Sequence, residues 1–131
     1  MPTQEELTRI IVQGDYGQLD RTAQSLGNAL NQVAKSQIRK IFGEVRRLEA
    51  EWEAAQSARQ ARPLPRLFML KPRLAYQQQR EKKLKPLVEV VHNMVDLVVQ
   101  PKDAKEQDRR FRHFVDFMEA LTAYHYVHAR R

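Results

Sequence analysis

The sequence contains no cysteine, which excludes disulfide frameworks, thiolate metal sites and cysteine nucleophiles. Glycine is scarce: four residues, all before position 44, so the chain has no glycine-rich phosphate loop. No apolar run approaches the ~20 residues that span a bilayer. The longest, residues 87–99, is interrupted by Glu89, His92, Asn93 and Asp96. The N-terminal stretch Met1-Pro2-Thr3-Gln4-Glu5-Glu6 is polar and acidic, without the basic and apolar regions of a signal peptide. A cytoplasmic protein with no membrane partner is expected. Few aromatics sit among the basic residues, Tyr76 being the main exception. That scarcity argues against base stacking as the dominant mode of any nucleic-acid contact.

What the chain does have is positive charge, unevenly placed. The formal net charge is +7 over 131 residues, which favours a polyanion as partner. Residues 1–34 hold Arg9 and Arg21 against Glu5, Glu6, Asp15 and Asp20, a net of −2. Residues 59–85 hold nine Lys or Arg against Glu81 alone, a net of +8. The length fits one domain, 1–131, large enough to bury a core without staples.

Ala, Gln, Leu, Arg, Glu and Lys dominate, and these favour helix. The pattern predicts an all-α fold, a compact bundle of five to six helices. A short helix spans about Gln4 to Gln13, followed by turn chemistry at Gly14-Asp15-Tyr16-Gly17. The second runs from about Asp20 to Ala34. Ser36 is a good N-cap for the third, in which Ile38, Ile41, Val45, Leu48, Trp52 and Ala55 form an apolar stripe to about Arg59. Its acidic half, Glu49 to Glu53, reads as a solvated extension. Pro63 and Pro65 interrupt the pattern, and a kink is expected at Lys71-Pro72. Lys82 to Gln100 forms the next helix, with Pro86 in its first turn. Its wide apolar face predicts a central position. Asp103 and Glu106 have the spacing of a capping box for a last helix with the stripe Phe111, Phe114, Val115, Met118, Leu121 and Tyr124 or His125.

Catalytic constellations are weak. His113, His125 and His128 share the last helix, and Asp116 and Glu119 lie nearby, but no spacing of a metal-ligand motif appears. These histidines read as interfacial or exposed, and His92 as a partly buried hydrogen-bonding residue. No metal, no cofactor and no enzymatic activity are expected.

The basic faces are more informative. Lys35, Arg39, Lys40, Arg46 and Arg47 alternate with the apolar stripe of the third helix. Arg39 and Arg46 are seven residues apart and share a face. Gly43 lies between them, where a mid-helix glycine costs ~1 kcal/mol relative to Ala. It serves either close approach of a partner backbone or packing between helices. A second cluster holds Arg66, Lys71, Arg73, Arg80, Lys82, Lys83 and Lys85. Two such clusters around one core point to a surface that follows phosphates without reading bases. About five phosphate contacts would make log K fall by roughly 3.5–4.5 per decade of salt.

Three stretches carry a family resemblance: Ser36-Gln37-Ile38-Arg39-Lys40-Ile41-Phe42, Leu70-Lys71-Pro72-Arg73-Leu74-Ala75-Tyr76, and residues 114–125, Phe114-Val115-Asp116-Phe117 through Ala123-Tyr124-His125. In this order and spacing, over roughly residues 20 to 128, the chain resembles the small subunit of the type III-A CRISPR RNA-guided effector complex, the Csm small-subunit family. The first twenty residues carry none of the motifs. The resemblance implies a non-catalytic helical bundle that lines the guide RNA–target RNA duplex in the cytoplasm. It also implies contacts with the backbone-forming subunits, the large subunit and neighbouring copies of itself. By motif position it places Arg39, Lys40, Lys71, Arg73 and Arg80 at the RNA, and Ile38, Phe42, Leu74, Phe114 and Phe117 in the core. With the helix-face reading, the candidate RNA-binding residues are Lys35, Arg39, Lys40, Arg46, Arg47, Lys71, Arg73 and Arg80. The alternative is a helix-turn-helix-like DNA-binding regulator, with Ala34-Lys35-Ser36-Gln37 as its turn and residues 36–48 as its recognition helix. The acidic second half of that helix would repel DNA.

Overall fold

Thr3 opens the first helix with a reciprocal cap. Its hydroxyl accepts the Glu6 N–H at 3.1 Å, and the Glu6 carboxylate accepts the Thr3 N–H at 2.9 Å, so donors at the helix start are satisfied by side chains. The computed structural model describes residues 1–130, and seven α-helices account for most of them, with no strand among the described residues. They are α1 (Gln4–Ile11), α2 (Tyr16–Ala29), α3 (Lys35–Ser57), α4 (Leu64–Phe68), α5 (Leu70–Arg80), α6 (Lys85–Val99) and α7 (Ala104–His128). A 3₁₀ turn at Lys82–Leu84 leads into α6.

The helix α6 is central, as its wide apolar face predicts. Leu87, Val88, Val90, Val91, Met94, Val95, Leu97 and Val98 are all buried, and the helix packs against α1, α2, α4, α5 and α7. Leu67, Leu70, Leu74, Phe114, Val115 and Phe117 join it in one apolar core. The helix α7 packs most extensively on α2 and next on α3. Where α7 passes Gly27 of α2, a Cβ on that glycine would lie 3.0 Å from the His125 amide nitrogen. The missing side chain of this glycine lets the two backbones approach closely.

Several boundaries differ from the sequence expectation, each for a local reason. The Asp15 carboxylate accepts the Gln18 N–H at 3.0 Å, so α2 begins at Tyr16 and the turn is confined to the residues around Gly14, whose φ is +68°. At its other end α2 stops at Ala29, and the His125 ring binds the Leu30 and Val33 carbonyls of the following turn. Ser36 does not cap α3. The cap position is Ala34, with no side-chain bond, and Ser36 lies inside the first turn. The break near the prolines falls at Met69, not at Lys71-Pro72. Pro72 sits in the first turn of α5, where a missing N–H removes no intrahelical bond. Asp103 caps α7 by position without a side-chain bond, and the Glu106 carboxylate is taken by Arg109 and Arg110 instead of reaching back to the Asp103 N–H.

The acidic half of α3 is not a solvated extension. Trp52 is buried and stacks on Phe111, with ring centroids 4.0 Å apart. Glu49 bridges Arg46 and Arg112 at 2.7 and 2.6 Å. Phe42, expected in the core, is half-buried at its rim.

Candidate nucleic-acid interface

Along α5, Arg73, Tyr76, Gln77 and Arg80 recur at helical spacing and share one face. Along α3, Gln37, Lys40 and Glu44 do the same. The two stripes face each other across an open groove of about 960 Å³, completed by Ser36, Pro72 and Glu81. The groove exists because α3 packs on α7 and α5 on α6, with no close packing of α3 against α5. Arg73 and Glu44 face each other across it at 3.9 Å.

Three cations, Lys40, Arg73 and Arg80, line this groove against two carboxylates, Glu44 and Glu81. Lys40 and Arg80 are exposed and have no ion-pair partner among the described residues. Glu81 lies at the edge, where its carboxylate accepts the Lys83 N–H at 3.2 Å, and Lys82, Lys83 and Lys85 follow at once, all exposed.

The eight candidate residues therefore separate into groups. Lys40, Arg73 and Arg80 converge on the groove. Arg39 and Arg47 are exposed and unpaired among the described residues, on α3 outside the groove lining. The other three are turned to intramolecular contacts. Lys35 Nζ lies 4.2 Å over the Tyr126 ring. Arg46 pairs with Glu49 and Glu119, both at 2.7 Å, and its guanidinium covers Phe42. Lys71 Nζ is 2.6 Å from Asp96. Sequence reasoning missed the polar side chains of the groove, Gln37 and Gln77. Their spacing with Lys40 and Arg80 marks a common face on each helix, but only the approach of α3 to α5 brings the faces together.

Gly43 serves no packing contact among the described residues: a Cβ there would meet nothing within 4 Å. Three of the four histidines, His92, His113 and His125, are structural. His113 Nδ1 donates to the Ile11 carbonyl at 2.8 Å, and His125 Nε2 donates to Leu30 and Val33 at 3.1 and 2.9 Å. A carbonyl only accepts, so the facing ring nitrogen carries the proton. Both rings are buried, in contrast to the interfacial or exposed placement expected for them. His92 is half-buried and donates to the Lys71 carbonyl at 3.0 Å, as expected. Among the described residues no three His, Asp or Glu side chains are grouped to hold a metal ion. No helix among them is long and apolar enough to cross a membrane.

Fold and groove define the class: a small, basic protein, all-helical over the described residues, with Lys40, Arg73 and Arg80 brought together in one groove between two helices. The family model described as Csm2 Type III-A matches residues 13–131, and the chain belongs to that family, the small subunit of the type III-A CRISPR effector complex. The match reaches further toward the N-terminus than the three motifs do. Neither a curated protein nor a solved structure gives a match. Family membership makes the chain a structural component of an effector complex with other subunits.

Proposed function

We propose that the chain, as one helical domain, lines the guide RNA–target RNA duplex of its effector complex in the cytoplasm, without catalysing a reaction. The groove between α3 and α5 follows the phosphate backbone through Lys40, Arg73 and Arg80, with Arg39 and Arg47 extending the contact along α3. The observation that carries this reading is the contrast in pairing. Lys40 and Arg80 have no carboxylate partner among the described residues and Arg73 meets Glu44 only at 3.9 Å, whereas Arg46 and Lys71 are held by Glu49, Glu119 and Asp96 at 2.6–2.7 Å. Unpaired cations release counterions on meeting phosphates, which supports affinity without base readout. The open space over Gly43 allows a partner backbone to come close to α3. The partners are the backbone-forming and large subunits and neighbouring copies.

Charge reversal tests this reading. A Lys40→Glu, Arg73→Glu, Arg80→Glu variant is expected to lose binding to an RNA duplex at moderate salt while keeping its helical circular dichroism. A matched Lys35→Glu, Arg46→Glu, Lys71→Glu variant should lose less. Wild-type affinity in the groove variant would overturn the proposal.

A further inference from the structure

Four tyrosines occur in the chain, and three have found partners. Tyr16 donates its hydroxyl to Asp116, Tyr124 donates to Asp20 at 2.5 Å, and Tyr126 lies under the Lys35 ammonium. Tyr76 has none among the described residues. It is the most exposed aromatic side chain, at 64%, and it lines the cation-lined groove. An aromatic ring left in water between two arginines of one helix face is not explained by packing, since the core beneath α5 is closed by Leu70 and Leu74.

The neighbouring polar groups are free in the same way. Gln37 and Gln77 face the groove from opposite helices, half-buried, and neither side-chain amide has a hydrogen bond among the described residues. An amide offers both donors and an acceptor, so it can meet the edge of any base. A paired duplex would engage the groove cations but leave the ring idle, because its bases are already stacked. A cationic groove with an exposed aromatic platform is the arrangement that holds unpaired nucleic acid. At about 960 Å³ the groove is at the upper end of small-ligand sites, which run roughly 300–1,000 Å³, so a whole nucleotide can enter.

We propose that the groove takes one unpaired nucleotide of the RNA, its base stacked on Tyr76 and its flanking phosphates held by Lys40, Arg73 and Arg80. The proposal rests on the reading that this groove faces RNA. It adds a preference: among RNAs of equal charge, the chain favours one with an unstacked base available. The contact is tolerant of base identity because every base presents a π-face.

The test uses the full chain, a single-stranded oligouridylate and a fully paired RNA duplex of the same length. Binding is measured by fluorescence anisotropy for Tyr76→Ala, Tyr76→Phe and the groove charge-reversal variant. Tyr76→Ala is expected to weaken oligouridylate binding roughly 5- to 150-fold, the range for loss of one stacked base, and to leave duplex binding unchanged. Tyr76→Phe should bind both RNAs like the wild type, because the ring, not the hydroxyl, makes the contact. If charge reversal abolishes binding to both RNAs but Tyr76→Ala leaves the oligouridylate untouched, or weakens both RNAs equally, the stacking proposal is wrong and the groove reading survives. If charge reversal also has no effect, the groove does not face RNA and both proposals fall.

Discussion

Arg62 grips Asp108 with two hydrogen bonds, Nε to Oδ1 at 2.6 Å and Nη2 to Oδ2 at 2.8 Å. Trp52 Nε1 donates to the same Oδ1 at 2.8 Å, and the Arg62 and Asp108 side chains are largely shielded from water. The Arg62 hydrogen bonds, ahead of the Trp52 one, hold the Asp108 carboxyl below its ordinary range. This knot ties the end of α3 and the loop before α4 to α7, and so fixes the frame on which the groove is built. Asp108→Asn leaves the guanidinium without its counter-charge. It is expected to destabilise the fold by about 2–4 kcal/mol, read as a lower denaturation midpoint. A midpoint equal to that of the wild type would mean that the knot does not hold the frame.

Gly27 sets the distance between α2 and α7. An alanine Cβ there would stand 3.0–3.1 Å from the backbone of Tyr124 and His125, and helix backbone cannot swing aside as a flexible side chain can. Alanine gains up to ~1 kcal/mol in helix propensity, but overpacking at such a contact costs about 1–3 kcal/mol. The expected net effect of Gly27→Ala is a loss of about 1–2 kcal/mol in chemical denaturation. A stabilised variant would show that α7 yields more easily than the packing implies.

Much of the fold was legible because helical periodicity is local. The stripe of α6 and the run Phe111, Phe114, Val115, Met118, Leu121 are read from spacing alone, and all are buried. The boundaries depended on bonds that spacing does not reveal, such as the Asp15 cap and the grip of His125 on the carbonyls after α2, across more than ninety residues of sequence. The candidate site was half legible for the same reason. Spacing locates Lys40, Arg73 and Arg80 on helix faces. Whether a cation stays free depends on distant carboxylates: Glu119 takes Arg46 and Asp96 takes Lys71. No periodicity predicts how two helices are rotated toward each other.

Acid should weaken one contact of α7 in a defined window. Hydrogen bonds from Arg109 first, then Arg110, hold the Glu106 carboxyl down to about 2 from its ordinary 4.5. A carboxyl with a depressed folded pKa stabilises the fold above its unfolded value and loses that contribution as pH falls through the folded one. The Tm advantage of the wild type over Glu106→Gln should therefore be constant from neutral pH down to about 5 and shrink between about 4.5 and 2. Thermal melts across that range check it. An advantage that is unchanged or larger near the bottom of that window contradicts the role assigned to this cluster.

The most direct test of the central claim is the salt dependence of duplex RNA binding, compared between the wild type and a Lys40→Gln, Arg73→Gln, Arg80→Gln variant. Each phosphate contact contributes about 0.9 to the slope of log K against log salt on a duplex. If the groove cations hold phosphates, the variant's slope is shallower than the wild type's by about 2–3, and its affinity is lower at every salt concentration where the curves can be compared. Parallel lines, with the slope unchanged by removal of all three cations, would contradict the assignment of this groove to the RNA backbone.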